Sequence, residues 1–189
     1  MKKIIGFGLL GLMLFLCITL AGYDNGSKRQ KIAQQTVQNI SKTLNKRYQL
    51  LYKNLSGSGS NNQYKKIGIY FDLFQIVDKE ESRKILVGCV EEMLKQINTN
   101  LDLRPYLQSF PFTVENIELV IYIRQEGKQL VYYPDLGVLS VWGGLVRYKT
   151  EEENKYKTSF YTEDEESYAE ALKIVQAQAN TLEVQKTGS

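Results

Sequence analysis

The chain has 189 residues, 43% of them hydrophobic, and a formal net charge of +3 at pH 7. It has no histidine, which excludes a Ser-His-Asp triad, a Cys-His pair and an HExxH zinc site within the chain. Of the two cysteines, Cys17 lies in an apolar run and Cys89 in a predicted helix, so a domain without that run has no internal disulfide. The length indicates one domain plus a targeting segment.

Charge is distributed unevenly along the chain. Residues 24–66 contain nine Lys or Arg and one acidic residue, whereas residues 67–189 contain 13 Lys or Arg and 20 Asp or Glu. A basic first part and an acidic body indicate two surfaces with different partners.

The chain begins with an apolar run that predicts export. Behind two lysines, 20 uncharged residues extend from Ile4 to Tyr23, which is long enough to span a bilayer as a helix. We predict that residues 1–22 are a signal peptide or a membrane anchor. Either interpretation places the body outside the cytoplasm, as a periplasmic, membrane-anchored or secreted protein.

Three interpretations of this run stay open. Cleavage after Ala21 would satisfy the small-residue rule for signal peptides. Retention would make the run an anchor, although basic residues on both sides of it leave the orientation rule little asymmetry to act on. Lipidation of Cys17 is the third interpretation, and Leu16 departs from the small residue that a lipobox has before its cysteine.

The next segment, residues 23–55, is predicted to be a basic amphipathic helix. Its apolar residues recur at near-helical spacing: Ile32, Val37, Ile40, Leu44, Tyr48, Leu51 and Leu55. Its polar face either lies against anionic head groups or another acidic surface, or is the solvated side of a helix that packs on the domain. Residues 56–65, rich in Gly, Ser and Asn, are predicted to be a flexible linker that partly decouples this helix from the rest.

An alternating stretch and a capped helix open the main domain, residues 66–184. Residues 67–74 alternate as a strand with two rather apolar faces, which indicates a central strand. Asp78 and Glu81 predict an N-cap and its partner for a helix that extends to about Asn98. One side of this helix is an apolar stripe made of Ile85, Leu86, Cys89, Val90, Met93, Leu94 and Ile97. Cys89 is therefore predicted to be buried and inert.

From Ile117 onwards the apolar residues recur at every second position, which predicts strands. Further strands are predicted at about 129–134, 137–142, 144–149 and 155–161. Gly143 and Gly144 are predicted to form a turn or a bulge between two of them.

These elements predict an α+β fold: an antiparallel β-meander of about four to five strands, covered on one face by helices. Short turns between consecutive strands favour the antiparallel arrangement. A second capping pair, Thr162 and Glu165, is predicted to begin a closing amphipathic helix, and residues 185–189 are predicted to be a loose tail.

No motif in the sequence specifies a reaction. Phosphate-binding loops, dinucleotide fingerprints and calcium-loop spacings are absent, so neither a cofactor nor a metal site is predicted. Acidic clusters at 151–153 and 163–166 suit a turn and a helix N-terminus. A pair of carboxylates for hydrolysis stays open because the spacing of such a pair is spatial. Nucleic acid is not predicted as a partner, because the basic segment is a mixed helix and the body is acidic.

Aromatic residues supply the candidate binding site. The chain has 13 tyrosines and one tryptophan, and Tyr132, Tyr133 and Trp142 fall near the turns of the predicted meander. Exposed aromatic residues suit ligand or protein contact, and strands also favour them for packing alone.

The stretch EEMLKQINTNLDLRPYLQSFPFTVENIEL, together with EESYAEALKIV, resembles small exported bacterial proteins of unknown function, some of them lipoprotein-like. The resemblance covers the chain from about Phe71 to Val175. It implies an envelope or secreted protein and carries over no catalytic or binding residue.

The sequence as a whole predicts an exported or envelope-tethered protein. We expect a non-enzymatic binding module that meets an envelope or extracellular protein partner, with the N-terminal segment as its contact with the membrane. The alternatives are a carboxylate-dependent hydrolase of envelope glycan or peptide, and a structural component of the envelope.

Overall fold

The structure, a computed structural model, describes residues 28–125, 127, 129–152 and 160–187. The predicted apolar run with Cys17, most of the strand predicted at 155–161 and the last two residues of the predicted tail lie outside the described residues. In the described part of the chain, no helix combines the length and the hydropathy needed to cross a bilayer.

Three helices and six strands are present among the described residues. In chain order they are α1 (28–48), β1 (Leu51–Ser58), β2 (Lys66–Leu73), α2 (Lys79–Thr99), β3 (Ile117–Ile123), β4 (Val138–Trp142), β5 (Leu145–Glu151), β6 (Phe160–Ser167) and α3 (Tyr168–Thr187). The α+β class predicted from the sequence is confirmed.

The sheet differs from the predicted meander in size and in one pairing. Its six strands lie side by side in chain order, and every pair is antiparallel except β2 with β3, which is parallel. A parallel pair needs a long crossover, and here α2 and its following connector, between Leu73 and Ile117, supply it. The sheet is therefore mixed, with two antiparallel parts joined at β2 and β3.

The predicted long helix and linker are corrected at residues 49–58. Helix α1 ends at 48, and Gln49 takes a positive φ of 59°, which a helix cannot continue. The Asn45 side chain donates to the Leu50 carbonyl at 3.0 Å and holds this turn. Residues 51–58 then form β1, antiparallel to β2. The first three residues of the predicted linker, 56–58, thus belong to β1, and residues 59–65 connect β1 to β2.

The three helices cover one face of the sheet. Alternate residues of β2 to β5 point into a core shared with α1, α2 and α3, and Leu55 of β1 packs against it. Val37, Ile40 and Leu44 of α1 are buried in that core, so α1 is an integral part of the domain rather than decoupled from it. Side-chain hydrogen bonds join α1 to α2 and its C-cap, from Gln96 to Thr43 and from Asn100 to Thr36, and Arg47 of α1 lies 3.7 Å from Glu92 of α2.

Helix α2 follows the sequence prediction closely. Asp78 is its N-cap, and the Asp78 carboxylate accepts from the Glu81 backbone N–H at 2.8 Å. Cys89 is fully buried, and burial raises the pKa of its thiol. The prediction of a buried cysteine is confirmed, and a thiol in this setting is a poor nucleophile.

The C-terminal part contains two further corrections. Residues 129–134 form no strand beyond a single bridge between Arg124 and Leu130. Strand β6 continues to Ser167, so the pair predicted as a helix cap, Thr162 and Glu165, lies within a strand. The actual cap is one turn later: the Glu170 carboxylate accepts from Ser167 N–H, and Ser167 Oγ accepts from Glu170 N–H. Both pairs fit a capping box in sequence, and β6 pairing with β5 decides between them.

Candidate functional site

The face of the sheet opposite the helices is the candidate functional surface, called the open face below. Strand register assigns its residues. On β1 to β3 they are Leu51, Lys53, Asn54, Ser56, Lys66, Gly68, Tyr70, Asp72, Glu118, Val120, Tyr122 and Arg124. On β4 to β6 they are Val138, Ser140, Trp142, Leu145, Arg147, Lys149, Glu163, Glu165 and Ser167. Aromatic and charged side chains thus share one surface.

Glu118 is fixed in the middle of this face by three neighbours. Its carboxylate accepts hydrogen bonds from Tyr70 Oη at 2.8 Å and from Ser56 Oγ at 3.2 Å. It reaches them across Gly68, where an added β-carbon would lie 2.9 Å from Glu118 Oε2. Burial and the bond to Glu118 both raise the pKa of Tyr70, so its hydroxyl stays a donor at neutral pH. The carboxylate is held in one position before any ligand arrives.

A second cluster is centred on Asp72 and Tyr122. The Asp72 carboxylate lies 3.3 Å from Lys53 Nζ and 3.1 Å from Arg124 Nε. Both cations also lie against the Tyr122 ring, at 5.3 Å and 5.2 Å from its centroid. Cation–π contacts and ion pairs here restrain two long side chains, Lys53 and Arg124, over a half-buried ring. The result is a stiff surface, which loses less side-chain entropy when it is covered.

Trp142 is the most prominent aromatic residue of the open face. It ends β4 next to the Gly143–Gly144 turn, whose two positive φ angles confirm a tight turn rather than a bulge. Its side chain is 56% exposed, and Lys66 Nζ lies 5.5 Å from the ring. Cross-strand register places it directly beside Glu118. Tryptophan is among the residues most enriched at the energetic centres of protein interfaces.

The β6 side of the open face is acidic and internally paired. Arg147 Nε lies 3.3 Å from Glu163 and 3.2 Å from Glu165 across the β5–β6 pair. Lys149 contacts the same Glu163 at 3.1 Å. Charged residues on an edge strand discourage further strand addition. This margin therefore suits solubility more than recognition.

Two of the three predicted binding residues lie away from Trp142. Tyr132 and Tyr133 are in the loop between β3 and β4, and the Tyr133 N–H donates to the Glu151 carbonyl at 2.9 Å. Glu151 lies six positions along β5 from Leu145, the register partner of Trp142, which is about 20 Å at strand rise. Tyr133 is 57% exposed and Tyr132 half-buried. The structure does not bring the three together.

Tyr132 nevertheless lines a cavity of its own. The cavity has a volume of about 470 Å³, and Gln125, Gln129 and Leu130 complete its lining. Glu151 at the neighbouring end of β5 is 4% exposed, and its Oε2 has no hydrogen-bond partner. Burial raises the pKa of this carboxyl, and the positive charge of Arg124 opposes that shift. The cavity and the buried acid belong to the loop end of the sheet, not to the open face around Trp142.

Sequence reasoning missed the residues around Trp142 for one reason. Period two already placed Glu118 and Tyr122 on one side of their strand, and Tyr70 and Asp72 on one side of another. The missing information was the parallel register of β2 and β3, which puts both sets on the same face. The crossover through α2 was the available signal for that pairing.

A metal centre would be another kind of functional site. Within the described ranges, no group of three or more His, Cys, Asp or Glu is arranged to hold a metal ion. No protein-family model, curated protein or solved structure matches the chain. The described residues form a two-layer α+β domain in which none of the described helices covers the second face of the sheet, and function is inferred from that face.

Proposed function

We propose that this chain is a non-enzymatic binding module, exported or held at the cell envelope, that engages a protein partner through its open face. The observation that carries the proposal is Trp142, a 56% exposed indole beside a carboxylate that Tyr70 and Ser56 already hold in place. Protein interfaces are enriched in exposed aromatic residues, and their energetic centres combine such an anchor with ordered polar neighbours.

The chemistry of the face supports a protein as the partner. It is a sheet surface of mixed charge, in which the Asp72 carboxylate lies between two cations, Lys53 and Arg124. A strongly single-signed face would suit nucleic acid or a lipid surface. A mixed face with an aromatic centre suits a polypeptide of mixed charge.

Site-specific photo-cross-linking tests this proposal. Benzoylphenylalanine replaces Trp142 in one variant and Tyr133 in a matched control, since both side chains are similarly exposed, at 56% and 57%. We expect a discrete protein adduct at position 142, in the cells that make the protein, and no such adduct at position 133. Equal labelling at both positions would contradict a site on the open face.

A second measurement separates recognition from incidental proximity. The partner identified from the adduct is purified and added to the intact chain, whose single tryptophan reports binding by fluorescence. We expect Tyr122→Ala to weaken binding roughly tenfold, as for a residue near an interface hot spot. Unchanged fluorescence and unchanged affinity would overturn the proposal.

A further inference from the structure

The exposed lysines of α1 form a narrow stripe on the side of the helix that faces away from the core. Each helical residue advances by 100°, so Lys28, Lys31, Lys42 and Lys46 fall within an arc of about 60°. All four are exposed. The buried residues of the helix, such as Val37 and Ile40, lie on the opposite side.

The stripe has a single sign of charge. Between residues 28 and 48 there are six Lys or Arg and no acidic residue. Gln35 lies within the same arc, Gln38 and Asn39 lie about 20° outside its two edges, and all three are uncharged and exposed. From Lys28 to Lys46 the stripe is about 27 Å long at helical rise. The neighbouring helix α2 differs, because there an exposed Lys84 pairs with Glu80.

We propose that this lysine stripe docks α1 flat against the anionic head groups of a lipid bilayer. The charge of the stripe is complementary to anionic lipid, which attracts basic segments close to a membrane. The proposal rests on retention of the uncharged run as an anchor, because that run has membrane-spanning length and ends at Tyr23, five residues before Lys28. The apolar side of α1 is occupied by the core, so the contact involves head groups and no insertion.

This docking sets the orientation of the whole domain. Helix α1 belongs to the layer on one side of the sheet, and the open face is on the other side. With the lysine stripe on the bilayer, Trp142 points away from the lipid and stays accessible. The inference does not depend on what the open face binds.

The test measures the distance of α1 from lipid in the full chain reconstituted into vesicles. A Cys17→Ser background carries a donor fluorophore at Gln38→Cys, and buried Cys89 stays unlabelled. Energy transfer to a head-group-labelled lipid is compared in phosphatidylcholine vesicles and in vesicles that also contain phosphatidylglycerol. We expect stronger transfer in the anionic vesicles than in the neutral ones, with the difference reduced by added salt. A label at Ser140→Cys on the open face should show weak transfer in both.

Charge variants identify the surface responsible. Lys31→Gln with Lys42→Gln should lower the ratio of docked to undocked protein roughly 30-fold, from the usual contribution per lysine at an anionic surface. The matched control, Lys95→Gln with Lys173→Gln, removes the same charge from exposed positions of α2 and α3 and should leave the ratio unchanged.

Three results would overturn the proposal. Equal transfer in neutral and anionic vesicles would rule out charge as the cause. An equal loss in the control pair would assign docking to net charge rather than to the stripe. If soluble polyglutamate changed the fluorescence of the label at position 38 and anionic vesicles gave no increase in energy transfer, the stripe would be assigned to an acidic protein instead of lipid.

Discussion

The Glu118 carboxylate lies across Gly68, in space that any larger side chain at that position would need. A β-carbon on Gly68 would lie 2.1 Å from Ser56 Oγ and 2.9 Å from Glu118 Oε2. Ser56 on β1 and Glu118 on β3 are separated by β2. The Glu118 carboxylate reaches the Ser56 hydroxyl only because Gly68 of β2 has no side chain between them. The order of the open face therefore depends on a glycine.

Replacing Gly68 tests this dependence. We expect Gly68→Ala to lower the free energy of unfolding by about 1 kcal/mol, since the new methyl group breaks the bond between Ser56 and Glu118. Denaturant unfolding measures the change. In a Ser56→Ala background the same substitution should have a smaller effect, because the closest atom is gone. Additive effects of the two substitutions would contradict the proposed contact.

Gly88 plays a similar part between two helices. A β-carbon there would lie 2.0 Å from Tyr48 Oη and 3.0 Å from Tyr48 Cζ, at the end of α1. Alanine is the better helix former by about 1 kcal/mol, but overpacking in a well-packed region usually destabilises by about 1–3 kcal/mol. We expect Gly88→Ala to lower the melting temperature.

The hydroxyl of Tyr48 is the atom to remove as a control. Combining Gly88→Ala with Tyr48→Phe should recover a large part of the lost stability, measured by thermal unfolding. If Gly88→Ala alone stabilised the protein, the close approach of α1 to α2 at this point would be wrong.

The ion pair between α2 and β6 is expected to contribute far more to stability than the exposed ion pair next to it. Arg83 Nε lies 2.8 Å from Glu166 Oε1, and both side chains are 13% exposed. Tyr148, whose side chain is fully buried, donates a hydrogen bond from its hydroxyl group to the same carboxylate. Arg83→Met should lower the free energy of unfolding by about 3 kcal/mol, because it leaves Glu166 without its counter-ion.

The adjacent residue provides the control for that experiment. Lys84 pairs with Glu80 within α2, on an exposed surface, so Lys84→Met should change stability very little. Urea unfolding of both variants compares the two pairs. Similar losses for the two substitutions would show that burial of the Arg83 pair is not decisive.

Glu151 is expected to give stability a pH dependence. Burial raises the pKa of its carboxyl in the folded protein, and Arg124 opposes the shift. A raised pKa means that the folded state holds its proton more tightly than the unfolded chain. The stabilisation that protonated Glu151 gives the folded state is therefore complete below the unfolded pKa of about 4.3. It declines as pH rises through the higher pKa of the folded protein.

Glu151→Gln removes this titration without changing the size of the side chain. We expect the variant to be more stable than the natural protein at neutral pH, by on the order of 1 kcal/mol, with the difference shrinking towards pH 4. Denaturant unfolding across this range measures it. A difference independent of pH would contradict the assignment to Glu151.

The sequence predicts those parts of the fold that depend on local pattern. Three features depend only on patterns within a short segment of sequence: the Asp78 and Glu81 cap, the apolar stripe of α2 and the alternation of β3. The structure confirms all three. The same holds for the turn at Gly143 and Gly144. The α+β class follows from such local signals.

The parts that the sequence does not predict depend on contacts between distant residues. Leu51 and Leu55 continue the helical spacing of α1, yet pairing with β2 makes them a strand. Thr162 and Glu165 fit a helix cap, yet pairing with β5 extends β6 to Ser167. Local propensity yields to sheet formation at both places. Trp142 was predicted as a binding residue, but its neighbours on the open face were missed for the same reason, because they require the register of β2 against β3.

The single parallel pair also divides the sheet into two units with different folding demands. Strands β1–β2 and strands β3–β6 each form through short-range antiparallel pairing, whereas Ile67 and Ile117, paired across β2 and β3, are fifty positions apart in the chain. Closing that long loop comes late, because its entropy is lost before the pairing is gained. We expect hydrogen exchange during refolding to protect the two units first and the boundary between them last. Glu118 and Tyr70 meet across that boundary, so the open face acquires its order only in the final step.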